Sequence, residues 1–256
     1  MFISCSYEKA QTRKRYATMK GTDVSGNWAL DYFGSENLDP ACIERNGSVH
    51  DLRCPQAYMV LQSPDSVVPT HYHHVDQFQV VMSGGGRIGA HPVQSVSVHF
   101  SKAYTGYGPV VADKKGVDYL SLRNMIDRGA SRLPEYRSEQ KQLPRLNVFL
   151  EPLHVNSSEH LYALLDVECI ALHTLEESGL GIWRLRMPPQ SRMASPDPRT
   201  GASQYWVVLQ GELILHEEQK LTPKSCVFVS EDETQKQIEA GPRGLELLVL
   251  QFPKAI

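Results

Sequence analysis

Residues 71 to 86 read HYHHVDQFQVVMSGGG. Three histidines within four positions run into an apolar stretch that ends in glycines. Alternate residues of a strand share a face, so His71 and His73 point one way and Tyr72 the other. A tight bend then starts a second strand, with Gln77, Gln79 and Val81 on one side. The following SGGGRIG leads from strand to strand. It reads as a hairpin, not as a phosphate-binding loop ahead of a helix.

The same phrase returns later. QFQVVMSGGG at Gln77 is matched by QYWVVLQGEL at Gln204, an offset of 127 in a chain of 256 residues. Upstream of each lies a short apolar strand ending near a proline, AYMVLQSPDSVVP and GIWRLRMPPQSRM. Self-similarity at about half the chain length indicates a duplicated domain. Between and around these copies run AYMVLQ, SVSVHFS, DYLSLR, ELILHEE, CVFVSED and LELLVLQF. They are short, rich in Val, Leu and aromatics, and bounded by turn residues, as expected of an antiparallel sandwich or barrel. EHLYALLDVECIALHTL admits a helix, although VECIAL reads equally as a strand.

Residues 131–146, SRLPEYRSEQKQLPRL, are polar and bracketed by prolines, the composition of a linker. The expected organisation is a tail or arm over 1–25, one barrel over 26–130, the linker, and a second barrel over 147–256. The arm is a candidate to pack on a neighbouring subunit.

Composition narrows the function. The 41% apolar content supports a packed core, and a net charge of −3 offers no surplus to neutralise a phosphate backbone. Nucleic acid is therefore not an expected partner. Cys5, Cys42, Cys54, Cys169 and Cys226 are odd in number and scattered, which fits neither a disulfide framework nor a zinc ribbon. The opening MFISCSYEKAQTRKRY has too short an apolar run for a signal peptide, and no stretch of about 18 apolar residues occurs. The expectation is a cytoplasmic protein without membrane contact. GxxxxGK[ST], GxGxxG before a helix and GxSxG are all absent, so no nucleotide cofactor is expected.

With its duplicated short-stranded barrel and H-x-H before a Val-rich strand, the chain resembles the cupin superfamily, and with two copies a bicupin. The family's first motif runs Gly, five residues, H-x-H, three or four residues, Glu, six residues, Gly. Here His71 and His73 supply H-x-H, Gln77 stands at the Glu position and Gly84 closes the motif, while Asp65 stands at the leading Gly. The second motif is not found. Its region, SVSVHFSKAYTGYGPVVAD, offers Gly108 and Pro109 in the wrong order and His99 on the preceding strand. The resemblance implies two tandem jelly-roll barrels, a homodimer, and a divalent transition metal (iron, manganese, nickel or zinc) at His71, His73, Gln77 and His99. Gln77 offers such an ion only a neutral carbonyl oxygen, which weakens the site relative to a carboxylate.

A competing reading takes His74 and Asp76 as H-x-D, similar to the iron site of 2-oxoglutarate oxygenases, but it turns His71 and His73 outward. Gln79, Tyr107 and Arg123 are candidate substrate-binding residues, Arg123 as an anion partner inside the barrel, and Tyr104 is a second candidate for the mouth. His91 reads as a turn residue. In the second copy, the H-x-H positions fall near Pro198 to Thr200 and hold no histidine, so that barrel is expected to be metal-free, with Trp206 filling it. The leading expectation is a small-molecule-acting, metal-dependent enzyme of the oxygenase or isomerase type. Its alternatives are a non-catalytic binding barrel without metal, and a metal-free enzyme with His71 or His73 as general base.

Overall fold

The computed structural model describes residues 1–17, 27–34, 54–127, 129–215 and 219–254. Cys42, residues 18–26 of the expected arm and its junction with the first barrel, residues 45–53 of the stretch resembling cupins, and the end of ELILHEE lie outside these. The chain divides into two compact units, Ala10–Leu153 and Met1–Lys9 with His154–Ile256. Each is an antiparallel jelly-roll barrel, so the fold is all-β.

Among the described residues the first unit has a nine-stranded sheet. Its centre is the strand Gln77–Ile88 beside Val110–Arg123, with Val98–Ser101 and Asn147–Leu150 on one flank and Gln56–Gln62 and Trp28–Phe33 on the other. A separate two-stranded ribbon joins His71–Tyr72 to Ser131–Arg132. The second unit repeats the plan, with Ser203–Ile214 beside Gln237–Phe252 and flanked by Cys226–Ser230 and Leu180–Met187. Period-2 patterning explains the layers, since Val81, Ile88, Val117 and Tyr119 pack in one core and Trp206, Val208, Leu245 and Leu247 in the other.

The glycine that ends each repeat has a backbone reason. Gly84 sits at φ +71°, and a Cβ there would lie 2.0 Å from the carbonyl oxygen of Gly116. Gly211 sits at φ +75°, and its Cβ would lie 2.0 Å from the carbonyl oxygen of Gly244. Only glycine fits a left-handed residue pressed against the neighbouring strand. Both sites fall where the strand register shifts, which marks the barrel corner.

Three stretches singled out in the sequence take the following forms in the structure. Phe2–Cys5 is a strand paired with Cys226–Ser230 of the same chain, and Phe2 packs edge-on to Trp206 at 5.8 Å. These four residues cover a sheet edge that would otherwise be open. Residues 131–146 do not simply link the barrels. They contribute the strand Ser131–Arg132 and fold back over the first barrel, where Leu133 N donates to the Thr70 carbonyl at 2.8 Å and Leu146 N to Thr105 Oγ1 at 3.2 Å. EHLYALLDVECIALHTL divides into a five-residue helix, Ser158–Tyr162, and the strand Glu168–Leu175. Among the described residues no helix is long and apolar enough to cross a membrane.

Candidate functional site

The polar residues of the first barrel gather at one end of its interior. His71 and His73 lie on the same side with ring centroids 5.1 Å apart, while Tyr72 and His74 face each other at 5.5 Å on the other. Gln77 is the cross-strand partner of Arg123, and Gln79 is the partner of His99. Tyr107 reaches in from the loop before Val110–Arg123. His71, His73, Gln77, Gln79, His99, Tyr107 and Arg123 are all buried, Arg123 to 2% exposure.

Arg123 organises this cluster. Its Nη2 donates to Gln77 Oε1 and, at 3.2 Å, to His73 Nε2, and its Nη1 donates to Gln56 Oε1 at 2.6 Å. The guanidinium carbon lies 5.2 Å from the Tyr58 ring centroid, within cation–π range. His73 turns its Nδ1–H to Asp127 Oδ2 at 2.5 Å. Asp127, 2% exposed, also accepts from the backbone N–H of His74 at 3.0 Å and of Gly129 at 3.1 Å. Arg123 and Asp127 thus face each other through a neutral imidazole, so the buried charges balance.

A second branch runs from Gln77 to His71. Gln77 Nε2 donates to the Tyr107 hydroxyl at 2.8 Å, and that hydroxyl lies 2.9 Å from His71 Nε2. His71 Nδ1 is 2.6 Å from the Pro69 carbonyl, which can only accept. The proton is therefore on Nδ1, and Nε2 accepts from Tyr107. Every bond from Arg123 through Gln77, Tyr107 and His71 to Pro69 points in one direction, an order that strengthens each member.

These groups are held in fixed protonation states. Burial pushes the His71 imidazole down to about 3, with the neighbouring His73 adding to the effect. Burial lowers His73 too, and Arg123 adds to it. His99 is pushed down to about 4 by burial, and burial raises the Tyr107 phenol. Burial opposes ionisation of Asp127, but His73, His74 and Arg123 together offset it and hold the carboxyl well below its usual range.

His99 faces inward, with Nδ1 at 2.8 Å from Gln79 Oε1 and Nε2 at 3.0 Å from Asn147 Oδ1. A neutral ring donates through one nitrogen only, so one of the two amides presents its NH2 to the ring. The ring stacks on Phe149 at 4.3 Å. His91, read as a turn residue, lies in the strand His91–Gln94 and stacks on the same Phe149 at 3.8 Å. His74 and Asp76 do not converge. His74 meets Asp127 at 3.3 Å, whereas Asp76 accepts from Ala103 N at 2.8 Å. Tyr104 packs on Tyr72 and His74.

The donor set does not fit a divalent ion. The Nε2 atoms of His71 and His73 are taken by Tyr107 and Arg123, and the Gln77 carbonyl by Arg123. The guanidinium is permanently charged, and any ion bound at those nitrogens would sit against it. Asp127, the nearby carboxylate, lies behind His73 on its far nitrogen. Among the described residues no three His, Cys, Asp or Glu side chains are grouped to hold a metal.

Several of these residues escape sequence reasoning. Asp127 lies just past the end of a strand, where periodicity stops, and Gln56 and Asn147 are lone polar residues at strand starts. Asn147 belongs to a pocket of about 340 Å³ beside the His71–Tyr107–His99 cluster, also lined by Thr70, Thr105, Gln140, Arg137 and Arg145. The last three lie in the segment read as a linker.

No family model and no curated protein matches the chain. Solved structures do match. A proposed dioxygenase from Nostoc punctiforme aligns over 98% of this chain and 81% of its own, at 12% identity and a TM-score of 0.62. The bacterial pirin of Escherichia coli, solved with nickel(II), aligns over 100% of both chains at 10% identity and a TM-score of 0.55. Oxalate decarboxylase from Bacillus subtilis aligns over 100% of this chain and 77% of its own, at 9% identity and a TM-score of 0.56. Likeness at this level establishes the fold, and the fold is that of cupin-type proteins.

Proposed function

We propose that this protein is a small-molecule-binding cupin-type protein whose first barrel works without a metal, Arg123 being the cation at its centre. One observation carries the reading: Arg123 donates both to His73 Nε2 and to Gln77 Oε1, two of the atoms that would otherwise face an ion. The protonation states support binding over acid–base chemistry. A general base works best with a pKa near the working pH, and burial pushes His71 down to about 3. The barrel therefore presents fixed donors and acceptors. A small molecule enters at the pocket beside Asn147, where the wall of the barrel is polar.

Nickel in the Escherichia coli pirin makes the metal the point to test. The protein is purified without a metal-affinity tag, loaded with iron, manganese, nickel or zinc, dialysed, and assayed for metal per chain. The expected result is a substoichiometric content that does not differ between wild type and the His71→Ala, His73→Ala double variant. A stoichiometric ion lost in the double variant overturns the reading. Gln77→Glu sharpens it: the new carboxylate should pair with Arg123 and leave metal content unchanged.

A further inference from the structure

We infer that the pocket beside the first barrel binds a small organic anion, held by Arg137 and Arg145. The inference rests on the reading above that this barrel takes a small molecule, and it names the chemistry of that molecule. The pocket, at about 340 Å³, falls at the small end of the range for small-molecule sites. Two arginines line it, with Thr70, Thr105, Gln140 and Asn147 supplying hydroxyl and amide groups, and none of its lining residues is acidic. Among the described residues neither the Arg137 nor the Arg145 side chain has a hydrogen-bond or ion-pair partner. By contrast Arg132, from the same segment, pairs with Glu135 at 2.7 Å. Two unpaired guanidiniums facing one concavity form a site suited to a carboxylate or phosphate, whose oxygens accept the paired N–H groups of each fork.

The pocket is built, not incidental. Its walls are fixed by bonds between the folded-back segment and the barrel. Gln140 Nε2 donates to the Tyr104 carbonyl at 2.6 Å, and Leu133 N donates to the Thr70 carbonyl at 2.8 Å. Asn147 is held by His99 at 3.0 Å, and through His99 it is tied to Gln79 and the barrel interior. The buried cluster is charge-balanced by Arg123 and Asp127, so the uncompensated positive charge of this region lies at the pocket and steers an anion there.

The test uses the full chain and isothermal titration calorimetry with three anions, succinate, phthalate and inorganic phosphate. Succinamide and phthalamide serve as neutral counterparts. At least one anion should bind, and its affinity should fall between 20 mM and 300 mM salt as charges are screened. Arg137→Gln and Arg145→Gln should each weaken that anion about tenfold, the loss of one charge-assisted pair, and the double variant about a hundredfold. Both arginines are exposed and lack partners, so the thermal midpoint of each variant should match wild type. Equal binding of an anion and its diamide, or an anion affinity unchanged in the double variant, overturns the inference and leaves the small-molecule reading standing. Failure of all five probes counts against both.

Discussion

The two barrels carry the same strands and differ in what those strands point inward. At one cross-strand position the first barrel has Gln77 opposite Arg123, and the second has Gln204 opposite Gln251. At the next inward position the pairs are Gln79 with His99 and Trp206 with Val227. In the second barrel Gln204 donates to Gln251 at 2.8 Å and accepts from Trp206 Nε1 at 3.0 Å, so a neutral amide pair and an indole close the space. In the first, a buried cation is balanced by a carboxylate across a histidine. Yet Gly84 and Gly211 do the same work at the same corner. Backbone geometry therefore dictates the corners, whereas the inner layer at the mouth is free to vary as long as its polar groups are satisfied.

Exchanging the mouth layers produces the largest expected effect. Arg123→Met strands His73, Gln77 and Gln56 without their donor, leaves the buried Asp127 charge unbalanced, and should destabilise the first barrel by about 4 kcal/mol, the usual cost of an uncompensated buried charge. Gln251→Met removes only neutral bonds and should cost the second about 1–2 kcal/mol. Hydrogen exchange over Gln77–Ile88 and Ser203–Ile214 reads each barrel separately. Equal losses would dissolve the contrast.

The corners should behave alike. Gly84→Ala and Gly211→Ala each place a Cβ 2.0 Å from a carbonyl oxygen at positive φ. Each should cost about 3 kcal/mol in its own barrel, strain and clash together. A large loss in one barrel and none in the other would show that the corners are not equivalent.

Acid should separate the barrels. Burial holds His71 at about 3 and His99 at about 4, below the value of an exposed histidine. The unfolded chain then binds protons that the folded chain does not, so stability is full above about pH 6.5 and declines as pH falls towards 4. From pH 8 to pH 5 each of these two should cost the first barrel about 2 kcal/mol. Asp127, depressed in the fold, adds its loss only below the usual carboxylate range. Protection of Ser203–Ile214 should change less, because its inner layer at the mouth holds no histidine. Urea titrations followed by hydrogen exchange at both pH values provide the check.

The smallest effect concerns one hydroxyl. Tyr107→Phe removes the group between Gln77 Nε2 and His71 Nε2. It should cost about 1–2 kcal/mol and raise the His71 pKa, readable by NMR, as the ring loses its donor. An unchanged His71 titration would show that the branch through Tyr107 does not reach the imidazole.

Much of this was legible without coordinates. The period-2 alternation that pairs His71 with His73 and opposes Tyr72, the recurrence of Gln at 77 and 204, and the closing glycines follow from rules local to a strand. Such rules hold wherever the strand lies. They suffice for an all-β chain with two barrels, and they place Gln77 at the centre of a polar cluster in one copy. They do not reach Asp127, just past a strand end, or Asn147, at a strand start, which meet their partners only after chain closure over 54 and 48 residues. The folded-back segment 131–146 is polar and proline-bracketed, like a linker. Its role as a pocket wall depends on bonds to Thr70, Tyr104 and Thr105 that no local pattern encodes. Nor does Arg123 on a strand disclose whether it faces an ion, a ligand or its neighbours. The strand alternation written into the chain aims the side chains, and only their packing in three dimensions buries Arg123 among Gln56, His73 and Gln77.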